Sequence, residues 1–109
     1  MKKQRGKNYY VYITTSISKV IYVGFTNCLI KRINQHKKGT FENTFSKKYK
    51  TGRLVYWEHF DKKLEALARE KEIKKWRREK KIELIEKDNP EWEDLYWFAI
   101  EMSKIRPLF

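Results

Sequence analysis

Five side chains of types that transfer protons, bind phosphate or hold a divalent cation are spread over the first 70 residues. They are the phenols of Tyr12 and Tyr22, the guanidinium of Arg32, the imidazole of His36 and the carboxylate of Glu70. Arg32 and His36 are four residues apart, so a helix places them on the same face. Each side-chain type also has an ordinary structural use in a core or on a solvated helix. Whether the five can instead act together depends on the strands and helices that position them.

Glu70 is the least expected of the five, because it lies in a strongly basic segment that has helical periodicity. It falls near the middle of an apolar arc, which is formed by Ala66, Leu67, Ile73 and Trp76. A carboxylate in this place is either the ligand of a divalent ion such as Mg²⁺, which keeps much of its water shell, or a counter-ion. The bases that it could neutralise are Arg69, Lys74 and Lys31.

The net charge of the chain points to a polyanionic partner. The 109 residues carry a formal charge of +12, and the 40% of apolar residues suit one folded domain rather than a disordered basic tail. The first 81 residues carry 23 basic and 7 acidic side chains, whereas the last 28 carry 3 and 7. Nucleic acid is favoured over an anionic membrane surface, because the basic clusters lie in several segments. These segments are residues 2–7, 31–38, 47–53 and 69–81.

Cysteine content and hydropathy restrict the cellular compartment that is expected for the protein. Cys28 is the single cysteine, so the chain forms neither an internal disulfide nor a cysteine zinc site, and a reducing compartment suits it. No apolar run has the length of a membrane span, and we expect no secretory signal. We therefore expect a cytoplasmic protein of one domain, with its core at residues 8–85 and an acidic, helical C-terminal extension at 86–109.

Two runs of aromatic and β-branched residues predict a β-hairpin at residues 9–14 and 19–24. Strand side chains alternate between the two faces of a sheet, so Tyr12 and Tyr22 can converge on one face. A cap at Thr26 or Asn27 then predicts a helix that runs to about residue 38. The apolar stripe of this helix is formed by Leu29, Ile30 and Ile33.

The rest of the chain predicts a third strand and further helices. Residues 39–52 indicate a loop or short helix, and residues 53–60 a strand. Asp61 can cap a long helix that reaches the mid-70s, and two more helices are expected at 78–87 and 91–98. The order β-β-α-β-α-α predicts an α+β fold, a small three-stranded antiparallel sheet flanked by helices. The last helix should pack three side chains inward, namely Trp92, Leu95 and Tyr96.

The candidate residues also form an ordered pattern of two triads followed by three single positions. In sequence order the pattern is Tyr10-Val11-Tyr12, Tyr22-Val23-Gly24, Arg32, His36 and Glu70. Nine residues separate the triads, and the arginine lies eight residues beyond the glycine. Over about residues 8–85 the chain resembles the GIY-YIG nuclease superfamily, and in detail its small single-domain bacterial members, which are similar to the nuclease module of excinuclease C. The resemblance implies a three-stranded antiparallel sheet with flanking helices, and divalent-metal-dependent hydrolysis of a DNA phosphodiester.

The resemblance also implies a role for each of the five residues. Glu70 binds one Mg²⁺ or Mn²⁺ ion, and Arg32 stabilises charge on the scissile phosphate. Tyr22 is the general base, Tyr12 orients the water or the phosphate, and His36 shares in the proton relay or binds phosphate. A phenol has a pKa of about 10, so Tyr22 acts near neutral pH only with the help of neighbouring cations.

A second group of residues is expected to contact nucleic acid, because basic side chains interleaved with an aromatic ring suit phosphates and bases. Lys31 extends the basic surface near Arg32. The others are consecutive, namely Lys47, Lys48, Tyr49 and Lys50.

Three positions depart from the family pattern. The first triad begins Tyr-Val instead of Gly-Ile, which alters packing more than catalysis. Phe25 follows the glycine where the repair enzymes carry a lysine, so one activator of the tyrosine is missing. The late asparagine of the family corresponds only loosely to Asn89.

The sequence therefore predicts a divalent-metal-dependent DNA endonuclease, in DNA repair or processing. The alternative is a basic nucleic-acid-binding module whose nuclease scaffold is weakly active or inactive, because 109 residues hold the catalytic unit and little else. The sequence leaves open whether the substrate is DNA or RNA, and it indicates no protein partner.

Overall fold

The sheet has three antiparallel strands, with the first strand in the middle. The computed structural model describes residues 8–40 and 44–105, without the side chains of 44–46, and the basic run at residues 2–7 lies outside them. The predicted hairpin and third strand are present, and the fold class is confirmed. The strands are β1 (Tyr9–Thr15), β2 (Ile21–Thr26) and β3 (Arg53–Phe60), in the order β2-β1-β3.

Helices of the described chain cover both faces of the sheet. The short helix α2 occupies the segment that was expected to be a loop or a short helix. None of the helices in these residues is long and apolar enough to cross a membrane. The helices are α1 (Leu29–Lys38), α2 (Thr44–Tyr49), α3 (Lys63–Lys75), α4 (Arg78–Asp88) and α5 (Tyr96–Ile105).

The central strand β1 supplies two separate cores, because its side chains alternate between the faces. Val11 and Ile13 lie on the face that α3 and α4 cover. Tyr10 and Tyr12 lie on the opposite face, which α1 and α5 cover, and they are fully buried. We call these the α3–α4 core and the α1–α5 core. The candidate tyrosines therefore belong to a core in which polar atoms must find partners.

Two helix starts differ from the predicted ones. The residue that precedes α1 is Cys28, and the residue that precedes α3 is Lys62; neither helix has a capping side-chain hydrogen bond. The predicted caps at Thr26 or Asn27 and at Asp61 are therefore wrong. Each stands at least one residue before the position from which a side chain reaches the free amides of the first turn. Thr26 instead accepts the Cys28 N–H on its Oγ1 at 3.1 Å, at the end of β2.

The last helix begins later than predicted, at Tyr96 instead of residue 91. The chain before it is bound to β3: the Leu95 N–H donates to the Leu54 carbonyl oxygen at 2.7 Å. Asp94 Oδ1 accepts the N–H groups of Leu54 and Tyr96, each at 3.1 Å. Residues 94 and 95 are thus bound to the sheet edge, and Asp94 also satisfies the free N–H of Tyr96 in the first turn of α5, so the helix begins only after them.

The inward packing of this segment is confirmed. Trp92 is 3% exposed and Tyr96 is 5% exposed, and Leu95 is half-buried. Trp92 joins the α3–α4 core, whereas Tyr96 joins the α1–α5 core. The chain after α4 therefore crosses the β3 edge and fastens the two sides of the sheet together.

Candidate active site

The two triads meet because of the register between β1 and β2. Tyr12 pairs with Gly24, and its ring lies against that glycine. A Cβ atom added at Gly24 would lie 2.9 Å from Cε2 of Tyr12 and still closer to Cζ and the hydroxyl oxygen. The glycine of the second triad is therefore needed to make room for the tyrosine of the first.

Tyr12 and His36 form a buried hydrogen bond. The Tyr12 hydroxyl lies 3.0 Å from Nε2 of His36, and the two rings meet edge to face at 5.5 Å. His36 is on the last turn of α1 and is 5% exposed. The helix projects it into the sheet beside its apolar stripe, as the sequence spacing predicts.

His36 is neutral at physiological pH. Burial and then the charge of Arg32 lower its pKa from 6.5 to about 4, and a hydrogen bond with the backbone of Thr51 opposes them. That bond raises the pKa, which identifies the Thr51 carbonyl as the acceptor of a ring N–H. Because Nε2 faces Tyr12, we assign the proton of the neutral ring to Nδ1, which then donates to Thr51. With this assignment Nε2 accepts from the Tyr12 hydroxyl.

Tyr22 is the half-buried member of the cluster. Its ring centroid lies 6.2 Å from that of Tyr12 and 5.3 Å from that of His36. Burial and then the Glu70 carboxylate raise the pKa of Tyr22, whereas the charge of Arg32 and a hydrogen bond with Tyr12 lower it. The chain of contacts from Tyr22 through Tyr12 to His36 thus runs from the surface into the core.

Arg32 lies one turn before His36 on α1. Its Nε donates to Oε1 of Gln35 at 3.2 Å, and its Nη1 donates to the Phe25 carbonyl at 3.4 Å. A further hydrogen bond from Arg32 lowers the pKa of Tyr12, which burial and then Tyr22 raise above the usual range of a phenol. The guanidinium is thereby held beside both tyrosine hydroxyls.

Glu70 reaches the same site from α3. Its side chain is 18% exposed, and its charge raises the pKa of Tyr12 and of Tyr22. Of the three bases that were considered as counter-ions, Lys74 pairs with it, at 3.0 Å between Nζ and Oε2. Arg69 pairs instead with Glu58 and Glu72. The structure thus brings Tyr12, Tyr22, Arg32 and His36 into one cluster, and Glu70 is near enough for its charge to act on both tyrosines.

The donor set suits an ion that keeps most of its water. Within residues 8–40 and 44–105, no group of three His, Cys, Asp or Glu side chains could form a metal cage. Glu70 is a single, partly exposed carboxylate, and its one paired base, Lys74, is half-exposed on the next turn of the helix. One carboxylate, water and substrate oxygens are the ligands that Mg²⁺ commonly takes. Glu70 therefore fits the ion that the family implies.

The second group of predicted residues lies on the surface. Lys31 is exposed on α1, one residue before Arg32. The consecutive residues 47–50 are exposed on α2 and just after it, with Lys48 Nζ 5.3 Å from the centre of the Tyr49 ring. Thr51, which follows them, contacts His36, so this surface continues toward the candidate site.

Two contributors were missed by sequence reasoning. Gln35, which holds Arg32, is three residues further along the same helix, and that spacing is a signal that the sequence contains. The Thr51 carbonyl carries no sequence signal, because its contact with His36 depends on how β3 meets α1.

Two of the three departures from the family pattern have structural explanations. Phe25 stacks on Tyr9 at 6.0 Å and packs against the α3–α4 core. Asn89 is buried and donates from Nδ2 to the carbonyls of Val55 and Glu93, at 3.1 and 3.0 Å. Its Oδ1 accepts the Glu93 N–H at 2.9 Å. Asn89 therefore connects the end of α4 to β3 and contributes to folding of the crossing segment.

Comparison with known proteins agrees with this geometry. Residues 8–83 match the model of the GIY-YIG catalytic domain. The chain is 38% identical to a UPF0213 protein of Syntrophus aciditrophicus, over 79% of this chain and 97% of that protein. It is 44% identical to a UPF0213 protein of Clostridium perfringens, over 70% and 81%.

A solved structure shows the same fold. The solution NMR structure of a UPF0213 protein from Bacillus halodurans is 31% identical to this chain and has a TM-score of 0.50. The match covers 80% of this chain and 92% of that one. Because the family match spans both triads and all five residues of the candidate site, the chain belongs to the GIY-YIG nuclease family, in which it is related to the small UPF0213 proteins.

Proposed function

We propose that the protein is an endonuclease that hydrolyses DNA phosphodiester bonds with one Mg²⁺ or Mn²⁺ ion and acts in DNA repair or processing. The observation that carries this proposal is the buried hydrogen bond from Tyr12 to a neutral His36. It ends a chain of phenols that starts at the half-exposed Tyr22, beside an arginine and a carboxylate. Hydrolysis of a phosphodiester needs such a proton acceptor together with positive charge for the transition state.

The single hydroxyl proton of Tyr12 has two acceptors within reach, Nε2 of His36 and the oxygen of Tyr22, and the bond with Tyr22 lowers the pKa of Tyr22. In this proposal the Tyr12 proton turns to His36 for the attack, so that the Tyr12 oxygen accepts from Tyr22 and the Tyr22 oxygen accepts from a water molecule. In the attack, the water gives a proton to Tyr22, Tyr22 gives its own proton to Tyr12, and Tyr12 gives its own to His36. The water oxygen forms the new bond to phosphorus. The bond from phosphorus to the leaving oxygen breaks, and that oxygen keeps the electron pair and takes a proton from solvent.

Arg32 links substrate binding to this transfer. Its fixed guanidinium is suited to a phosphate oxygen, and its charge is one of the causes that lower the pKa of His36. When a phosphate pairs with Arg32, that charge is compensated and the pKa of His36 rises toward its ordinary value. His36 therefore becomes a stronger base when a substrate is in place.

Glu70 is the residue that holds the divalent ion in this proposal. Bound there, the ion would stabilise the negative charge on the leaving oxygen. Lys74 must release Glu70 when the ion binds, and a half-exposed lysine can do so at a small cost because a pair of this kind contributes roughly 1 kcal/mol or less. The exposed lysines of α1 and α2 provide further contacts for the nucleic-acid backbone.

The test is cleavage of supercoiled plasmid DNA with Mg²⁺ or Mn²⁺, compared between wild type, Glu70→Gln and Arg32→Gln. We expect each variant to nick the plasmid about 10²–10³-fold more slowly, as when a residue that stabilises transition-state charge is removed. Glu72→Gln is the matched control, since it removes a carboxylate from the exposed side of the same helix. Circular dichroism checks that every variant is folded.

Metal binding has its own readout. Mn²⁺ should broaden the amide NMR signals around Glu70 in wild type and in Glu72→Gln, but not in Glu70→Gln. Equal residual cleavage by wild type and Glu70→Gln would indicate a contaminating nuclease and overturn the proposal. DNA binding without metal-dependent cleavage would instead support a binding module on an inactive nuclease scaffold.

A further inference from the structure

A basic cleft lies beside the outer edge of β2, outside the residues that the proposed chemistry uses. One wall is the end of the β1–β2 turn and the start of β2, and the other is the first turn of α4. We call it the β2–α4 cleft. Its lining residues are Ser18, Lys19, Val20, Ile21, Arg78 and Lys81.

The cations of this cleft are concentrated without a carboxylate between them. Lys81 is half-buried, and burial, then the charges of Arg78 and Lys74, lower its pKa. None of the ion pairs among the described residues includes Lys81 or Arg78. Clustered, partly desolvated cations repel one another, so an anion that enters the cleft relieves an existing cost.

Arg78 is already oriented in this cleft. Its Nη2 donates to the Lys19 carbonyl oxygen at 2.9 Å. Lys19 has left-handed backbone geometry with φ of 68°, and its Nζ lies 4.7 Å from the centre of the Trp92 ring. A guanidinium has five N–H groups in a planar fork, so this bond fixes its plane and leaves other donors for an anion. Phosphate oxygens match that fork.

Lys74 connects the cleft to the candidate active site. Its Nζ is 3.0 Å from Oε2 of Glu70, and its charge also acts on Lys81. Lys74 therefore lies between Glu70 and the cations of the cleft. A nucleic-acid strand carries one charge per ~3.4 Å of helix axis, so a strand that is cut at Glu70 brings further phosphates along this side of the molecule.

We propose that the β2–α4 cleft binds a backbone phosphate of the nucleic-acid strand, adjacent to the phosphate that is cut. The inference rests on the proposed function, because it takes Glu70 as the point of cleavage. Contacts with phosphate set the position of the strand and do not read its sequence. The cleft thus determines how the strand lies across Tyr22 and Glu70.

The test measures binding of a fluorescein-labelled DNA duplex by fluorescence anisotropy in EDTA, over a range of salt concentrations. Wild type is compared with the double variant Arg78→Gln/Lys81→Gln. The control double variant Lys87→Gln/Lys104→Gln removes the same number of charges from exposed positions at the far end of α4 and on α5. We expect the cleft variant to bind more weakly and to reduce the slope of log K against log salt by about 1, because the cleft neutralises one phosphate. The control should keep the wild-type slope.

Each other outcome separates the cleft from the nuclease. Equal changes of slope in the two double variants would contradict the proposed phosphate site, because any pair of surface cations would then bind DNA equally well. If the wild type cuts plasmid DNA and the cleft variant binds DNA like the wild type, the proposed phosphate site in the cleft is wrong. The proposed function would still hold in that case. A cleft variant that loses binding only to vesicles of phosphatidylserine and phosphatidylcholine would assign the cleft to a membrane and overturn the inference. A wild type that binds DNA through the cleft but never cuts would overturn the nuclease alone.

Discussion

The two faces of β1 build cores of different character from one strand. Val11 and Ile13 enter a core of aliphatic and aromatic side chains, in which shape is the main requirement. Tyr10 and Tyr12 enter the other core, in which each buried hydroxyl needs a partner. The α1–α5 core therefore fixes side-chain positions through directional hydrogen bonds, whereas the α3–α4 core fixes them through packing.

Polar groups are placed differently in the two cores. In the α1–α5 core the Tyr12–His36 bond is interior, and Asn34 Nδ2 donates to the Tyr96 hydroxyl at 3.2 Å. On the α3–α4 side the strong network is at the rim, where Arg69 donates to both oxygens of Glu58 at 2.8 to 3.1 Å. The α1–α5 core therefore holds the polar groups of the candidate site in its interior, whereas the charged network of the α3–α4 side lies at its edge.

The rim network also serves the site. Tyr56 donates to the same Glu58 carboxylate, and Glu58 and Arg69 are 20% and 25% exposed. The Arg69–Glu58 pair ties α3 to β3, and the next residue on that helix is Glu70. The rim network therefore supports the helix that carries the candidate carboxylate.

The largest effect is expected from a cavity in the α3–α4 core, which tests whether the two cores have separate roles. Ile85→Ala empties a fully buried position and should lower the free energy of unfolding by about 2–5 kcal/mol. Urea denaturation followed by circular dichroism measures this loss. Because Ile85 lies on the face opposite the tyrosines, the plasmid-nicking rate of the folded variant at 25 °C should stay near that of wild type.

Ile105→Ala is the control for this prediction, because Ile105 is 78% exposed and its truncation should change stability by less than about 0.5 kcal/mol. A folded Ile85→Ala variant with greatly reduced nicking would show that the two cores are not separable.

The second prediction concerns pH and the α1–α5 core. His36 has a folded pKa of about 4 against 6.5 when unfolded, so the unfolded chain takes up a proton between those values and the folded one does not. The contribution of neutral His36 is complete above pH 6.5 and is lost as the pH falls toward 4. A pKa change of this size corresponds to on the order of 3 kcal/mol. Urea unfolding at pH 7.5, 5.5 and 4.5 measures it.

His36→Gln should flatten this fall in stability, because glutamine offers an acceptor to Tyr12 without titrating. His59→Gln removes an exposed histidine from β3 and should keep the wild-type pH dependence. If both variants lost stability with pH as wild type does, other groups would be responsible, and His36 would not be the buried neutral base of the site.

Local patterns in the sequence predicted much of the fold and the candidate site. The hairpin followed from aromatic and β-branched runs, and the meeting of Tyr12 with Tyr22 followed from strand alternation. The placing of His36 beside them followed from helix spacing and the family motif. Each of these signals lies within one element or in the spacing of neighbouring ones, so the sequence contains it directly.

Contacts between distant segments could not be predicted in this way. The start of α5 depends on the bonds of Asp94 and Leu95 to Leu54, about 40 residues earlier. The wrong cap at Asp61 has a similar origin, because pairing with β1 decides where β3 ends. The choice of Lys74 over Arg69 as the partner of Glu70 depended on Glu58, a residue of β3 that no local pattern connects to α3.

Among the variants of buried or site residues, Gly24→Ala has the smallest expected change in stability and is the most informative about the site. Gly24→Ala would force its methyl group into the Tyr12 ring. Overpacking of this kind costs about 1–3 kcal/mol, and the lower chain entropy of alanine in the unfolded state offsets about 0.4–1 kcal/mol of it. The displaced ring cannot keep its hydrogen bond with His36, so we expect nicking to fall about 10²-fold, the scale of a lost proton-transfer step.

A double-mutant cycle with Tyr12→Phe separates the clash from the lost chemistry. The hydroxyl oxygen is among the atoms nearest to the added methyl group, so Gly24→Ala should cost less stability in the Tyr12→Phe background than in wild type. Nicking should be no slower in the double variant than in Tyr12→Phe alone, because the hydroxyl that glycine accommodates is already absent. Strictly additive losses in both measurements would mean that Gly24 and Tyr12 act independently, and that the second triad does not need its glycine to make room for the Tyr12 ring.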